Sequence, residues 1–185
     1  GPPSSVKNPA ELRHVARFLA KRGVNLVRIH GAVFTQNGEP DPAKVQHVID
    51  IVEAMKLEGI YTHASIYFPL WFRPKANLSW LPGYDGKKHP FAALMFNPEF
   101  QAHYRNWWDA LLTTPGARSG KKLIDEPALM GAEIQNEDSF FFWTFSEQNI
   151  PEPQLEILES LFTDWVIRKH GSLEKAYVKW NQLKV

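Results

Sequence analysis

The sequence contains no cysteine, so neither a disulfide nor a thiolate metal site can form within its 185 residues. Charge of either sign is not in excess, because 21 lysines and arginines are balanced by 20 aspartates and glutamates. A net charge of +1 gives no general electrostatic attraction to nucleic acid or to an anionic membrane, and neither is expected as a partner. A neutral ligand is compatible with this charge balance.

Long hydrophobic runs are also missing, since none approaches the roughly 20 residues that span a bilayer. Residues 1–5 have neither the basic region nor the apolar region of a signal peptide. The first residue is not methionine, and we expect further sequence upstream. The lack of cysteine identifies no compartment, so the localisation stays open between secreted, periplasmic and other possibilities.

Three predicted helices share the same residue types at both ends. Each begins with an Asn or Asp that can cap the helix, followed by a proline whose missing N–H costs nothing in the first turn. Each is followed by a glycine suited to ending a helix. The pairs are Asn8-Pro9 with Gly23, Asp41-Pro42 with Gly59, and Asn97-Pro98 with Gly116.

Short apolar segments that follow these helices predict buried strands. They cover residues 24–30, 60–67 and about 128–135, and a helical pattern resumes over 153–169, with Gly171 ending it and Ser172 capping a last short helix. The order α-β-α-β-α-β-α-α favours parallel strands with right-handed helical crossovers.

The predicted fold class is α/β, as part of a (β/α)8 TIM barrel. Three strands make an incomplete sheet, because a closed barrel typically needs about 250 residues. Long insertions follow the second and third strands, on the face where barrel enzymes build their sites, and residues 1–185 are therefore interpreted as part of one barrel. The first insertion, 68–96, is rich in aromatics, which favours a functional loop over a disordered one.

Asn136-Glu137 stands where the third predicted strand ends. A partly buried carboxylic acid beside an amide suits a proton donor to a glycosidic oxygen, because partial burial can keep the acid protonated near neutral pH. The alternative is that Glu137 caps the next loop or pairs with a surface lysine.

Four segments resemble the retaining glycoside hydrolases of the barrel clan that contains cellulases, mannanases and β-galactosidases. They are residues 23–30, 59–63, 133–137 and 165–180, and they would cover about strands 2 to 4 of such a barrel. The resemblance implies that Glu137 is the general acid/base, that Asn136 hydrogen-bonds the sugar 2-hydroxyl, and that Arg28 faces a catalytic carboxylate from another strand. In that family the nucleophile is a glutamate at the end of the seventh strand.

Further substrate contacts are predicted around these residues. His30 projects to the same face as Arg28 and can donate to a sugar hydroxyl, and aromatic faces suit pyranose rings, so Trp143 and Trp71 are candidate platforms. Each has a structural alternative: an ion-pair role for Arg28, a satisfied core position for His30, and hydrophobic packing for Trp143 and Trp71. His63 fits hydrogen-bonded packing as well as substrate contact.

Two other acids lie near Glu137. Glu133 is a less favoured acid, because it points to the same face but lies deeper in the barrel or pairs with a cation there. Asp138 is given no catalytic role and is interpreted as solvating the loop.

The predicted function is hydrolysis of O-glycosidic bonds in neutral β-linked sugars, including β-galactosides, with retention. A retaining site needs two carboxyls about 5–5.5 Å apart, and this chain is expected to supply only the acid/base. Its expected partners are a carbohydrate substrate and the remainder of the same barrel, with no cofactor and no metal. The alternative is a carbohydrate-binding barrel without catalysis. A metal-dependent hydrolase using His30 and His63 is weaker, because no metal-ligand spacing such as His-Glu-x-x-His occurs.

Overall fold

The computed structural model describes residues 5–6 and 8–180. Its strands are β1 (Leu26–His30), β2 (Tyr61–Ser65) and β3 (Leu129–Glu133). Its α-helices are α1 (Pro9–Ala20), α2 (Pro42–Lys56), α3 (Ala93–Phe96), α4 (Pro98–Thr113), α5 (Glu152–His170) and α6 (Leu173–Lys179). Short 3-10 helices lie at Pro69–Trp71 and Leu123–Asp125.

The three strands form one parallel sheet in the order β1-β2-β3, so the prediction of a parallel α/β fold is confirmed. Two rows of side chains cross one face of this sheet because paired residues point the same way. Arg28, His63 and Gly131 form one row, and His30, Ser65 and Glu133 form the next. This surface, called the polar face below, lies on the opposite side of β1 from the buried Ile29.

The predicted helix caps are present. The side-chain oxygens of Asn8, Asp41 and Asn97 each accept a backbone N–H from the first turn that follows. Gly23 and Gly59 have φ of +76° and +74°, the left-handed conformation that glycine adopts without penalty.

Contrary to the prediction from the sequence, Gly116 does not end the third predicted helix. Helix α4 ends at Thr113, and Thr114 continues in an extended conformation. Gly116 is instead in a place with no room for a side chain, because an added Cβ would lie 2.0 Å from Oε1 of Glu53.

The end of the chain follows its predicted pattern. Gly171 ends α5 with φ +87°, and the Ser172 hydroxyl accepts the backbone N–H of Lys175 to cap α6. Helix α5 begins at Glu152, one residue before the predicted start.

The insertion between β2 and α3 is packed into the core, which agrees with the prediction that it is not disordered. Phe72, Trp80, Leu81 and Tyr84 are buried. The loop after β1 is bound to the same core, since Nε1 of Trp107 donates to the Gly38 carbonyl oxygen at 2.6 Å. The loop after β1 and the insertion after β2 are therefore both held by the same aromatic cluster.

Strand β3 lies at one edge of the sheet and is only half covered. Met130 is 54% exposed, and Ile134, just beyond the strand, is 67% exposed. The described residues contain an open three-stranded sheet, so a closed barrel is not seen in this part of the chain. No helix in the described part combines the length and apolar character needed to cross a membrane.

Candidate functional site

The carboxyl ends of the three parallel strands bring a cation, an anion and an amide together. Nη2 of Arg28 donates to Oε2 of Glu133 at 2.5 Å and to Oδ1 of Asn136 at 2.7 Å. A guanidinium can only donate, so the amide oxygen of Asn136 must face Arg28. The amide nitrogen of this buried side chain is then the group left to donate to a ligand.

The observed anionic partner of Arg28 is Glu133. The expectation for Glu133, a cation partner on the same face, is therefore confirmed. For Arg28 the ion pair matches the structural alternative, in which a guanidinium on a sheet face needs an anion. Burial raises the pKa of Glu133, but hydrogen bonds from Ser65 and Arg28 outweigh it and hold that pKa below its ordinary value.

His30 lies between a hydroxyl and an indole. Its Nδ1 is 3.0 Å from Oγ of Ser65, and its ring centroid is 4.2 Å from that of Trp71, at an angle of 58°. Burial lowers the pKa of His30, and the charge of Arg28 lowers it further. His30 is therefore a neutral imidazole at neutral pH.

Trp71 reaches His30 because the insertion begins with the 3-10 turn Pro69–Trp71 directly after β2. The two rings line a cleft of about 910 Å³ together with residues of α2, and Arg28, Asn136 and Glu137 are not among its lining residues. Trp71 therefore reaches the polar face only through its contact with His30.

Glu137 follows β3 with φ +44°, a left-handed conformation that is uncommon for residues other than glycine. The expected partial burial is not found, because Glu137 is exposed. The physical reason is its place beyond the edge strand β3, where no further strand packs in the described residues. Its charge nevertheless acts on the polar face, since it raises the pKa of His30 against the larger lowering effects.

Asp138 does not solvate the loop, and that interpretation is wrong. Its carboxylate is buried and accepts the backbone N–H of Ala92 with both oxygens, at 3.0 and 2.8 Å. Burial raises the pKa of Asp138 to about 6, although the N–H groups of Ala92 and Ser139 oppose the shift. Asp138 thereby ties the turn that carries Glu137 to the end of the insertion.

The remaining predicted residues are placed less centrally. His63 is half buried, and its ring packs over Gly131, where an added Cβ would lie 3.4 Å from Nδ1. This position fits the packing role. Trp143 is 79% exposed, with its ring centroid 6.1 Å from that of Phe142, in the loop after β3. The structure therefore brings Arg28, His30, Asn136 and Trp71 close together, whereas Trp143 is exposed to solvent.

Sequence reasoning missed two residues that shape the site, Ser65 and Asp138. A signal existed for Ser65, which lies two residues after His63 on a strand and so points to the same face. None existed for Asp138, because it lies beyond β3 in a segment with no regular alternation.

Within the described residues, no group of three or more His, Asp or Glu side chains is arranged to hold a metal ion. Comparison with protein-family models finds no match to this chain, and comparison with curated proteins finds none either.

Proposed function

We propose that this chain is part of a (β/α)8 barrel of the retaining glycoside hydrolase type and supplies the acid/base half of its site. The substrates are neutral β-linked sugars, with β-galactosides among them. One observation carries the proposal: Glu137, a non-glycine residue at φ +44°, directly follows Asn136, which Arg28 holds at the carboxyl end of a parallel sheet. Strained residues cluster at functional sites, and barrel enzymes place their catalytic residues at this end.

Glu137 protonates the departing glycosidic oxygen and then activates water against the glycosyl-enzyme. Its exposure leaves the carboxyl open to an approaching sugar. A bound sugar and the remaining strands would exclude water from Glu137 during the reaction. The nucleophile comes from a later strand, as the resemblance to the retaining glycoside hydrolases implies.

The residues around Glu137 bind the sugar. The amide nitrogen of Asn136 donates to the 2-hydroxyl, because the amide oxygen is already bound by Arg28. Trp71 stacks on the C–H face of the ring from the side of the insertion.

A carbohydrate-binding barrel without catalysis is the second candidate. The exposure of Glu137 favours it, because a surface made of Asn136, His30 and Trp71 can hold a sugar without a second carboxyl. An acidic residue at the end of a later strand supports hydrolysis, and the lack of one supports binding alone.

The test is Glu137→Gln in a protein that joins this chain to the remaining strands. Turnover of natural glycosides should fall by about 10²–10⁴, because proton transfer to the leaving group is lost. Substrates with very good leaving groups need little protonation and should lose less in the first step. Glu147→Gln, at an exposed position of the same loop, is the matched control.

Unchanged turnover of the natural substrate in Glu137→Gln would remove this residue from the mechanism. Sugar binding by the unaltered protein without any turnover would favour the second candidate.

A further inference from the structure

Gln36, in the loop after β1, binds the backbone of the insertion at Trp71 and Arg73. Its Nε2 donates to the carbonyl oxygen of Trp71 at 3.2 Å, and its Oε1 accepts the backbone N–H of Arg73 at 3.2 Å. A carbonyl oxygen only accepts and an N–H only donates, so these two partners fix the orientation of the amide. Both ends of this side chain are thus used on the segment that carries Trp71.

The loop that carries Gln36 is itself held in place. The N–H of Gly38 donates to the carbonyl oxygen of Thr35 at 3.0 Å and closes a tight turn around Gln36. The carbonyl oxygen of Gly38 accepts Nε1 of the buried Trp107 at 2.6 Å. Gln36 therefore extends from a turn that is fixed to the aromatic core.

His89 holds the same segment from the far end of the insertion. Its Nδ1 lies 3.1 Å from the carbonyl oxygen of Pro69 and 2.9 Å from that of Phe72. Both oxygens only accept, so Nδ1 carries the hydrogen of this contact. The backbone of the 3-10 turn is therefore bound by two side chains, and the indole of Trp71 lies with its centroid 4.2 Å from that of His30.

The hydrogen bonds of Gln36 contribute little to the stability of the whole fold. Gln36 is exposed, and a hydrogen bond that exchanges with water gives a small net gain. The insertion keeps its buried anchors Phe72, Trp80 and Tyr84 without Gln36. Loss of Gln36 should therefore release the backbone that carries Trp71 and leave the core intact.

We propose that Gln36 is a positioning residue that fixes the indole of Trp71 against His30 and so sets the wall of the cleft that both rings line. An aromatic wall that is already in position binds the C–H face of a ligand ring with a smaller loss of conformational entropy than a mobile one. That the ligand is a sugar rests on the proposed function, whereas the position of the indole does not.

The test is 19F spectroscopy of the chain labelled with 5-fluorotryptophan, without ligand. Trp71→Phe assigns the signal of Trp71, and Trp143, which is 79% exposed, gives the reference for an indole in solvent. The unaltered chain should show one Trp71 signal that is displaced from this reference. His30→Ala should move the signal, because it removes the ring that lies against the indole.

Gln36→Glu changes one atom group of the clamp and keeps its shape. The carboxylate still accepts from Arg73, but it opposes the carbonyl oxygen of Trp71 with a second oxygen. The Trp71 signal should therefore broaden and move toward the solvent reference. Asn37→Asp makes the same change of charge at the next exposed position and should leave the signal in place.

An unchanged Trp71 signal in Gln36→Glu would overturn the proposal, as would an equal change in Asn37→Asp. The chain has seven tryptophans, so the other signals report whether the fold is intact. If Gln36→Glu does not fold, Gln36→Met replaces it. This variant keeps the length of the side chain without either hydrogen bond, and an unchanged Trp71 signal again contradicts the proposal.

The consequence for sugar binding is measured in a protein that joins this chain to the remaining strands. Gln36→Glu should raise KM for glycosides about 2- to 10-fold with a much smaller effect on kcat, because the cleft beside Trp71 is not lined by Glu137. A changed 19F signal with an unchanged KM would show that Trp71 holds no sugar, and the positioning by Gln36 would stand. Absence of any turnover would contradict the proposed function alone.

Discussion

The buried carboxylate of Asp138 connects two residues with left-handed backbones, Ala92 and Glu137. Asp138 accepts the N–H of Ala92, whose φ is +56°, and it directly follows Glu137, whose φ is +44°. Both conformations cost free energy and persist only where surrounding contacts hold them. The position of Glu137 therefore depends on a hydrogen bond made by its neighbour, on the opposite side of the chain from the polar face.

Asp138→Asn should change how stability depends on pH. The folded-state pKa is about 6 and the unfolded value is 3.8, so between them the unfolded chain loses a proton that the folded chain keeps. The free energy of unfolding of the unaltered chain therefore falls as pH rises through this window. The amide introduced by the substitution does not titrate. As the pH rises from below 4 to above 6, the unfolding free energy of the variant should therefore increase by about 1–3 kcal/mol relative to that of the unaltered chain. Urea unfolding at a series of pH values measures the difference.

Asp85→Asn is a control in which the relative stability of the variant should change with pH in the opposite direction. Backbone and side-chain hydrogen bonds from Lys87 lower the pKa of this exposed carboxyl, so its contribution to stability is present above the unfolded pKa and is lost as pH falls. The Asp85 variant should lose relative stability as pH rises through that range. A constant difference between Asp138→Asn and the unaltered chain at all pH values would show that burial does not shift Asp138.

At the scale of elements, Asn97 joins three segments. Its Oδ1 accepts the N–H of Phe100 at 2.9 Å and caps α4. Its Nδ2 donates to Oε1 of Gln154 in α5 at 2.9 Å and to the carbonyl oxygen of Trp80 in the insertion at 3.3 Å. One amide thus connects two helices with the loop that delivers Trp71.

Asn97→Ala should cost about 2–4 kcal/mol of unfolding free energy. The loss combines a helix cap of about 1 kcal/mol with buried acceptors on Gln154 and Trp80 that are left unpaired. Asn8→Ala removes an exposed cap with a single bond to Ala10 and should cost only about 1 kcal/mol. Chemical denaturation of both variants makes the comparison. Equal losses would show that the links to α5 and the insertion add nothing to the cap.

The hydrogen bonds of Asn97 show which contacts of a helix could be predicted from the sequence and which could not. The cap of α4 follows from Asn97-Pro98, because a capping bond joins residues three apart in the chain. The bond to Gln154 spans 57 positions, and no local pattern encodes such a partner. The parallel strands were predictable because helical and strand segments alternate along the chain. The contact between Asp138 and Ala92 was not, because it joins residues 46 positions apart.

At the scale of the whole molecule, the sheet is open on the side where Glu137 lies. The prediction put Glu137 directly after a strand ending near residue 135 and in a partly buried environment, whereas β3 ends at Glu133 and Glu137 is exposed. Periodicity indicates which face of a strand is covered by its own helices. It cannot indicate what covers an edge strand, because those contacts come from other segments.

The chain by itself should hydrolyse no glycoside, because the proposed mechanism needs a second carboxyl from a later strand. Release of an aryl leaving group from β-glycosides by the purified chain measures this, with the Glu137→Gln chain as the control for contaminating enzymes. Activity that is present in the unaltered chain and lost in the variant would contradict the expectation. Equal background in both is the expected result.

The left-handed backbone at Glu137 has a consequence for how this position tolerates change. Most residues with a β-carbon cost about 1–2 kcal/mol there, whereas glycine adopts the conformation freely and asparagine, whose short side chain can hydrogen-bond locally, pays less. Selection for thermal robustness alone would therefore replace the glutamate. Under the proposed mechanism the same glutamate is required as the acid/base, so that mechanism and the stability of the fold place opposite demands on position 137.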